Sequence, residues 1–320
     1  MNQLIALDWG TSSLRAMLMD ETGSVVETRR QPWGIRQLPA GGFAGALDAM
    51  VDGWPVLPRI ASGMIGSRSG WREVAYLDLP AGVDQLAGAL DRGGDLVIVP
   101  GLHNARCPDV MRGEETQIVG LMARHAAAAD ATVLLPGTHS KWVSLRQGKV
   151  VDFCTLMTGE LYALLRQHSI LGAGLDAGIE ASDDEAFLDG VHAARDSGAA
   201  GAFSRLFAIR ARMLAGTLQP AAIADYLSGL LIGEEFRSMQ SDRRMSSQSP
   251  LWLIGDAGLC ARYARAAAEF SFELAPAVDD TAAAGLFWLA RAAGLLDFSS
   301  SNVSSPPSST SHSATGVSPQ

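Results

Sequence analysis

Lysine is almost absent from this chain, which has only Lys141 and Lys149 among its 25 basic residues. The net charge is −9, so electrostatic attraction to nucleic acid or to an anionic membrane is not expected. No apolar run approaches the ~18 residues that are needed to span a bilayer. The composition therefore argues against nucleic acid and membrane as partners, and an anionic ligand would have to be bound by local cations, which are mostly arginines.

Cysteine is also scarce. Cys107, Cys154 and Cys260 lie far apart and show no Cys-x-x-Cys spacing, so neither a disulfide framework nor a zinc cluster is expected. No signal peptide is recognisable at the N-terminus. Together these features predict a protein of the reducing cytoplasm.

The common nucleotide-binding and metalloprotease motifs are missing as well. The chain has no Gly-x-x-x-x-Gly-Lys-Ser/Thr and no His-Glu-x-x-His, and Gly172–Gly178 lacks the spacing and the preceding strand of a dinucleotide fingerprint. A bound nucleotide would therefore have to be held by a different kind of loop.

The most informative stretch is Leu4–Met19, where one apolar run ends at Asp8 and another begins at Leu14. This pattern predicts strand, tight turn, strand. The turn, Gly10–Ser13 (the first corner), combines a glycine that permits close backbone approach with hydroxyls and N–H groups suited to phosphate oxygens, supplied by Thr11, Ser12 and Ser13. Asp8 at the strand end is of the type that holds Mg²⁺, partly through water. An ordinary polar hairpin turn is the alternative interpretation.

A second stretch, Thr132–Val143, repeats the pattern. An apolar strand runs into Gly137–Lys141 (the second corner), whose residues are Gly137, Thr138, His139, Ser140 and Lys141, and then into another strand. Each copy is followed by a glycine turn with the sequence Gly-x-Val-Val. Chance similarity of short strands is the alternative, but the repeat favours two related half-domains that face one nucleotide.

The chain of 320 residues is long enough for two such units with sizeable cores. Strands dominate up to Phe153 and helices dominate afterwards, which predicts an α/β protein with two lobes. We expect an N-terminal lobe over 1–129, a C-terminal lobe with a helical insertion over 130–298, and a disordered Ser/Pro/Thr-rich tail over 299–320.

Two further segments carry candidate chemistry. Gly113–Gln117 precedes a helical pattern, and a carboxylate there would accept the proton of an attacking hydroxyl. The alternative is that Glu114 and Glu115 only complement the positive end of the helix, worth ~0.3–1 kcal/mol. Gly255–Gly258, with Asp256 and Ala257 between the two glycines, is a strand–turn–helix junction suited to the ribose or adenine of a nucleotide. Its alternative is a plain turn in which Asp256 caps the helix.

Seven segments together resemble sugar kinases of the actin–hexokinase superfamily, and most closely the 2-dehydro-3-deoxygalactonokinases. They occur in the expected order over residues 1–297: Leu7–Arg15 (LDWGTSSLR), Gly63–Trp71 (GMIGSRSGW), Pro100–Leu102, Asp109–Gln117 (DVMRGEETQ), Leu135–Trp142 (LPGTHSKW), Tyr226–Glu234 (YLSGLLIGE) and Leu253–Gly258 (LIGDAG). No single segment is specific, whereas the combination is.

The resemblance implies two ribonuclease-H-like lobes, a duplicated ATPase fold with the nucleotide in the cleft between them. It implies ATP and Mg²⁺ as cofactors and transfer of the γ-phosphoryl group to the 6-hydroxyl of 2-dehydro-3-deoxy-D-galactonate in galactonate catabolism. Asp8 would organise Mg²⁺, and the residues of the two corners, Arg15 and Gly255–Gly258 would contact ATP. Glu114 matches the position of the catalytic base, but related kinases have Asp there, so Glu115 and Asp109 remain alternatives.

The carboxylate of the substrate calls for a planar arginine donor. Arg68 and Arg72 are the expected clamp, with Arg112 in reserve, and the loop around them adds Gly66, Ser67 and Trp71 to the candidate substrate site. A solvated surface loop is the alternative. Two other functions stay open, a kinase for another sugar or sugar acid and a non-catalytic ATP-sensing protein of the same fold. The sequence does not give the oligomeric state, and a homodimer is one option.

Overall fold

A computed structural model describes residues 3–172, 183–242, 250–278 and 280–296. The tail predicted over 299–320 lies outside the described residues, as do Gly174 and Gly178 of the segment Gly172–Gly178. Among the described residues, no helix is both long and apolar enough to cross a membrane. The three cysteines, all within the described residues, form no disulfide with one another.

The described strands and helices follow each other in the order that the chain's apolar patterns predict, with some short additions. The strands are β1 (Leu4–Trp9), β2 (Leu14–Met19), β3 (Val25–Gln31), β4 (Arg59–Ser62), β5 (Leu77–Asp78), β6 (Ala81–Gly82), β7 (Val97–Ile98), β8 (Leu102–Asn104), β9 (Asp109–Met111), β10 (Thr132–Leu135), β11 (Ser140–Arg146), β12 (Lys149–Leu156) and β13 (Leu251–Leu253). The helices are α1 (Gly42–Val51), α2 (Val83–Gly88), α3 (Glu114–Arg124), α4 (Thr158–His168), α5 (Asp184–Arg195), α6 (Leu206–Leu214), α7 (Ile223–Ser241), α8 (Ala257–Glu269) and α9 (Ala282–Ala292).

The first sheet has the strand order β3-β2-β1-β4-β7. β1, β2 and β3 form an antiparallel meander, and β1 then pairs in parallel with β4, which pairs in parallel with β7. The apolar residues of β1 are almost completely buried because the strand is central in the sheet and is covered on both faces.

The second sheet repeats this plan in the order β13-β10-β11-β12-β6. β10, β11 and β12 form the antiparallel meander, and β10 pairs in parallel with β13. Each sheet thus places its first strand between its own second strand and a later parallel one. This is the arrangement of a ribonuclease-H-like lobe, and the predicted fold class of two such lobes is confirmed.

A small third sheet, β5-β8-β9, was not expected from the sequence. Its strands are only two or three residues long, too short to show a hydrophobic period. The β8–β9 hairpin is attached to β12 by two side chains. Asn104 Nδ2 donates to Asp152 Oδ1 at 2.6 Å, and Asp109 accepts hydrogen bonds from the backbone N–H and the hydroxyl of Thr155 at 2.6 and 2.7 Å.

Helices α3 and α9 cross in backbone contact. A Cβ atom on Gly120 would lie 1.9 Å from the Thr281 carbonyl oxygen, and one on Gly285 would lie 1.9 Å from that of Thr116, so both positions require glycine. The largest hydrophobic cluster includes side chains of both sheets and of this helix pair. The predicted boundary near residue 130 stays a prediction, since β6 pairs with the second sheet while α9 packs on α3.

One predicted helix has different ends in the structure. The helical spacing of Ile118, Leu121, Met122 and His125 predicts a single helix over 116–129 with His125 on its packed face, whereas α3 starts at Glu114 and stops at Arg124. His125 is extended, and its ring packs 5.0 Å from that of Trp252. A packing role for His125, and not a ligand role, agrees with the prediction.

Candidate active site

The first corner lies at the carboxyl end of β1, held by the loop that follows β3. The Gly10 N–H donates to the Ser13 carbonyl at 2.9 Å and closes the turn, and the Gly10 carbonyl accepts from the Ile35 N–H at 3.1 Å. Trp9 Nε1 donates to the Trp33 carbonyl at 2.8 Å. The side chains of Ser12 and Ser13 remain exposed, so the corner is a fixed turn with open polar groups.

A cavity of about 490 Å³ opens beside this corner and reaches the second lobe. Its walls are formed from one side by residues of β1, the first corner, β2, β3 and α3, and from the other by the turn after β13 and the start of the α9 segment. The lining residues are Asp8, Ser13, Leu14, Arg15, Arg30, Gln117, Ile254, Gly255, Asp256 and Asp280. Asp8, Arg15, Gly255 and Asp256, which the sequence separates by almost 250 positions, thus face one cleft.

Arg15 links two carboxylates inside this cleft. Its Nη2 atom donates to Asp8 Oδ2 at 3.1 Å, and its Nη1 atom donates to Asp280. Burial raises the pKa of Asp8 above its ordinary value, Arg15 opposes that shift, and Asp280 adds to it. Burial acts upward on Asp280 too, but the hydrogen bond from Arg15 lowers its pKa overall. Two carboxylates, Asp8 and Asp280, therefore share one arginine in the cleft, and 37% of the Asp8 side chain stays exposed there.

A second cavity, of about 520 Å³, adjoins the first at Asp256, which lines both. Its walls come from the second corner, the first turns of α4 and α8, and one face of α7. The lining residues are Pro136, Gly137, Thr138, Thr158, Gly159, Tyr162, Ser228, Leu231, Ile232, Asp256, Leu259, Arg262 and Tyr263. The two corners therefore line neighbouring cavities that meet at Asp256.

Asp256 also caps α8, since its side chain accepts a hydrogen bond from the Leu259 N–H at 2.9 Å. The capping interpretation and the lining interpretation are both true of this residue. The neighbouring residues 255–258 are exposed at the start of α8, where the helix dipole favours an anion.

Helix α4 begins directly against the second corner. A Cβ atom on Gly159 would lie 2.5 Å from the Gly137 carbonyl oxygen, and the Glu160 N–H donates to the Thr138 carbonyl at 3.0 Å. The His139 ring is 2.5 Å from a Glu160 carboxylate oxygen. Ser140 is different, because its hydroxyl is buried and bonded to the Tyr263 hydroxyl at 2.7 Å.

The last residue of the second corner reaches the start of α3. Lys141 is buried on β11, and its Nζ atom lies 3.5 Å from Glu114 Oε1. Glu114 Oε2 accepts the Arg112 N–H at 3.0 Å, while 26% of the Glu114 side chain stays exposed. The predicted base and the predicted phosphate-binding lysine are thus direct neighbours.

The two alternative bases are less available. Glu115 is 1% exposed, and burial, helped by the nearby Glu114, raises its pKa from the ordinary 4.5 to about 8. Its Oε2 atom accepts the Gly113 N–H at 2.6 Å. Asp109 is bonded through both oxygens to Thr155. Of the three carboxylates, Glu114 is the one that combines partial exposure with a contact to the second corner.

The arginines predicted to bind the substrate have three different environments. Arg68 is exposed on its loop. Arg72 donates to Asp91 Oδ2 and to the Leu96 carbonyl, both at 2.6 Å, so its guanidinium is already occupied. Arg112 is only 9% exposed, lies 4.2 Å above the Tyr76 ring and donates one hydrogen bond, from Nη2 to the Val74 carbonyl.

Arg112 also has polar atoms without partners. Its Nε and Nη1 atoms are buried and make no hydrogen bond in the described part of the chain, and the same is true of the Ser67 hydroxyl. Gly66, which precedes Ser67 in the chain, lies against Arg112, because a Cβ atom on Gly66 would be 2.8 Å from Arg112 Nη1. Trp71 of the same loop instead packs in an aromatic group, with ring centroids 5.8 Å from Phe43 and 6.2 Å from Trp9.

Sequence reasoning missed Asp280, Arg30 and Gln117 in the cleft, and Glu235 beneath the second cavity. Gln117 lies in the segment Gly113–Gln117, of which only the carboxylates were singled out, and Asp280 lies at the start of a segment with a helical pattern. Glu235 had a detectable signal, because it is an acid within the apolar run that leads from Leu230 to Phe236.

Comparison with known proteins finds similar chains over most of this one. A family model described as 2-keto-3-deoxy-galactonokinase matches residues 8–289. The chain is 40% identical over 299 residues to a proposed 2-dehydro-3-deoxygalactonokinase of Rhizobium meliloti (strain 1021), a match that covers 90% of this chain and 96% of that relative. It is 36% identical over 288 residues to the 2-dehydro-3-deoxygalactonokinase of Escherichia coli (strain K12), covering 87% and 94%.

A solved structure shows the same arrangement of the chain. The crystal structure of a proposed 2-dehydro-3-deoxygalactonokinase from Sinorhizobium meliloti superposes with a TM-score of 0.82 at 38% identity, covering 90% of this chain and 98% of that one.

The raised pKa of Glu115 predicts a pH-dependent stability. The protonated carboxyl favours the folded state, so its contribution is complete below pH 4.5 and is lost as the pH rises through about 8. Glu115→Gln removes this dependence, and its Tm should rise relative to wild type between pH 5 and 8.5, by about 2–4 °C for each kcal/mol. Thermal unfolding across this range, with the exposed Glu21→Gln as control, measures it. Parallel Tm profiles for wild type and Glu115→Gln would contradict the prediction.

Proposed function

The chain belongs to the 2-keto-3-deoxy-galactonokinase family, and from this premise we propose that it transfers the γ-phosphoryl group of ATP to the 6-hydroxyl of 2-dehydro-3-deoxy-D-galactonate. The observation that carries the proposal is that the two corners line neighbouring cavities that share Asp256, while Lys141 of the second corner lies 3.5 Å from Glu114. A phosphoryl transfer needs aligned reactants and neutralised phosphate oxygens more than covalent help from the protein.

ATP fits the groove in one direction. The larger and more apolar cavity, between α4, α7 and α8, suits the adenosine, and the N-termini of α4 and α8 direct N–H groups at the phosphates beside the second corner. The triphosphate then extends past Asp256 towards the first corner. The contacts expected from Gly10–Ser13, Gly137–Lys141 and Gly255–Gly258 are compatible with this path.

Asp8 is the residue that would hold Mg²⁺. Its side chain is partly exposed to the cleft, and Arg15 joins it to a second carboxylate, Asp280. A bound cation would offset the cost that burial imposes on the negative charge of Asp8. The described residues contain no cluster of three or more metal-binding side chains. One or two carboxylates nevertheless fit Mg²⁺, which takes its other ligands from water and phosphate and would neutralise the charge of the transferred group.

Glu114 is the proposed general base. Its carboxylate is oriented by the Arg112 N–H and by Lys141, and it remains partly exposed. It would accept the proton of the 6-hydroxyl as that oxygen attacks the γ-phosphorus. Lys141, the last residue of the second corner, is buried next to Glu114 and would contact the phosphate that is transferred.

Arg112 and Ser67 are the proposed partners of the substrate's carboxylate. An arginine with unsatisfied buried N–H groups costs about 1–3 kcal/mol for each unpaired group, and a carboxylate is the anion that removes this cost. Arg72 is occupied by Asp91, and Arg68 remains available at the outer edge of the loop. The clamp expected from the sequence is therefore revised in favour of Arg112, the residue held in reserve.

The function is tested by a coupled assay of ADP release over a panel of sugar acids and neutral sugars. We expect turnover with 2-dehydro-3-deoxy-D-galactonate in the presence of Mg²⁺. Turnover with a different acid would keep the kinase and change its substrate. Tight binding of ATP without turnover of any acceptor would favour the ATP-sensing alternative.

Glu114→Gln should lower kcat by ~10²–10⁴ with little change in KM, because a general base acts in the transition state. Glu115→Gln and Asp109→Asn are the matched controls, and both should retain most of the wild-type kcat. Steady-state kinetics of the three variants decide the assignment. A near-normal kcat for Glu114→Gln with an inactive control would move the base to that control's position.

Arg112→Met, which keeps an apolar chain over Tyr76, should raise KM for the sugar acid about 10- to 100-fold. The same variant should leave the KM of an analogue whose carboxylate is reduced to an alcohol unchanged. Arg68→Ala is the control and should change either value by less than about 3-fold. If Arg68→Ala raises KM for the acid while Arg112→Met does not, the carboxylate binds at the outer loop instead.

A further inference from the structure

A buried carboxylate beneath the nucleotide cavity has no part in the chemistry described so far. Glu235, on α7, is 1% exposed. Its Oε1 atom accepts the indole N–H of Trp142 at 2.7 Å, and its Oε2 atom accepts the hydroxyls of Thr158 and Tyr263 at 2.5 and 2.8 Å. The Ser140 hydroxyl extends this network through Tyr263 at 2.7 Å.

The residues of this network come from three elements next to the second corner, β11, α4 and α8. Ser140 and Trp142 lie on β11, at and after the second corner. Thr158 is the first residue of α4, and Tyr263 lies on α8. Thr158 and Tyr263 themselves line the cavity. One carboxylate therefore joins the corner strand to both helices whose first turns face the groove.

The position of α4 depends directly on this network. Gly159, the residue after Thr158, is in backbone contact with Gly137 of the second corner. Moving Thr158 away from Glu235 would move the helix start, and with it the N–H groups that face a phosphate. The same displacement would be felt by Tyr263, since both hydroxyls are bonded to a single carboxylate oxygen.

A stabilising role alone does not account for this arrangement. No arginine, lysine or histidine pairs with Glu235 in the part of the chain that the structure describes, and burial raises its pKa above the ordinary value. The network is instead specific in direction, because three donors from three different elements meet two oxygen atoms.

We propose that Glu235 is a positioning residue for ATP, which fixes the start of α4 and the face of α8 against the second corner so that the nucleotide cavity is formed before ATP binds. The inference rests on the proposed function for the identity of the nucleotide. It assigns Glu235 no contact with the reacting atoms.

The test separates the two substrates of the reaction. Glu235→Gln replaces one acceptor oxygen by a donor that faces existing donors, and should raise KM for ATP about 10- to 100-fold while KM for the sugar acid stays within about 2-fold. Thr158→Val and Tyr263→Phe each remove one hydroxyl and should raise KM for ATP by about 3- to 10-fold. They also serve if Glu235→Gln does not fold.

Glu234→Gln is the matched control. The neighbouring glutamate is bonded to Arg237 at 2.6 Å and to the Ala202 N–H at 2.9 Å, away from the second corner, so KM for ATP should not change. A calorimetric titration of each variant with ADP gives the same comparison without turnover, and the dissociation constants should rise in parallel with KM.

The outcomes distinguish this inference from the proposed function. Wild-type protein that neither binds ADP nor turns over ATP would overturn both. Wild-type turnover, with an unchanged KM for ATP in the Thr158, Tyr263 and Glu235 variants, would overturn only the positioning role. An equal rise of KM for both substrates, accompanied by a lower Tm, would show a general structural role and overturn it too.

Discussion

Parallel pairing of the first strand of each sheet with a later strand is the constraint on which the site depends. β1 pairs with β4 and β10 pairs with β13, so two carboxyl ends lie side by side at one edge of each sheet. Loops that leave such an edge converge on a crevice where ligands bind. The first corner, Gly63 and the turn at Gly255 are all loops of this kind. A crevice formed in this way does not need the loop Gly-x-x-x-x-Gly-Lys-Ser/Thr, which the sequence lacks.

The pairing of charged groups is the second theme of the structure. Arg15 pairs with Asp8 and Asp280, Lys141 lies next to Glu114, and Glu235 is surrounded by neutral donors. Where such a group is buried, as Glu235 is, low local dielectric strengthens its hydrogen bonds and makes an unpaired group expensive. The orphaned nitrogens of Arg112 stand apart from this pattern. The paired groups stabilise the arrangement of the site, whereas the unpaired nitrogens of Arg112 are the ones we propose to bind a ligand.

The sequence predicted what depends on local pattern. The strands around both corners were found because unbroken apolar runs of four to six residues end in glycine-containing turns. β5, β8 and β9 were not found, since strands this short carry no period and are fixed by their neighbours. The helix over 116–129 was predicted too long because packing of His125 on Trp252 is a tertiary contact.

Functional residues follow the same division. The type and spacing of Asp8, Glu114 and Lys141 were legible from the motifs, whereas their contacts were not. Sequence alone could not rank Arg72 below Arg112, because the difference lies in Asp91, a partner 19 positions away that occupies the first guanidinium. Asp280 joins the cleft only because Arg15 reaches it across 265 positions.

The attachment of the β8–β9 hairpin to β12 has a mechanical consequence. Asn104 and Asp109 fasten the hairpin to the second sheet, and α3, which carries Glu114, starts within a few residues of the hairpin's end. A hinge motion between the two sheets would therefore either rupture these bonds or drag Glu114 along with the second corner. If the bonds hold, Glu114 and the second corner would move together as one rigid unit. Asp8 lies on the first sheet and would belong to the opposite unit.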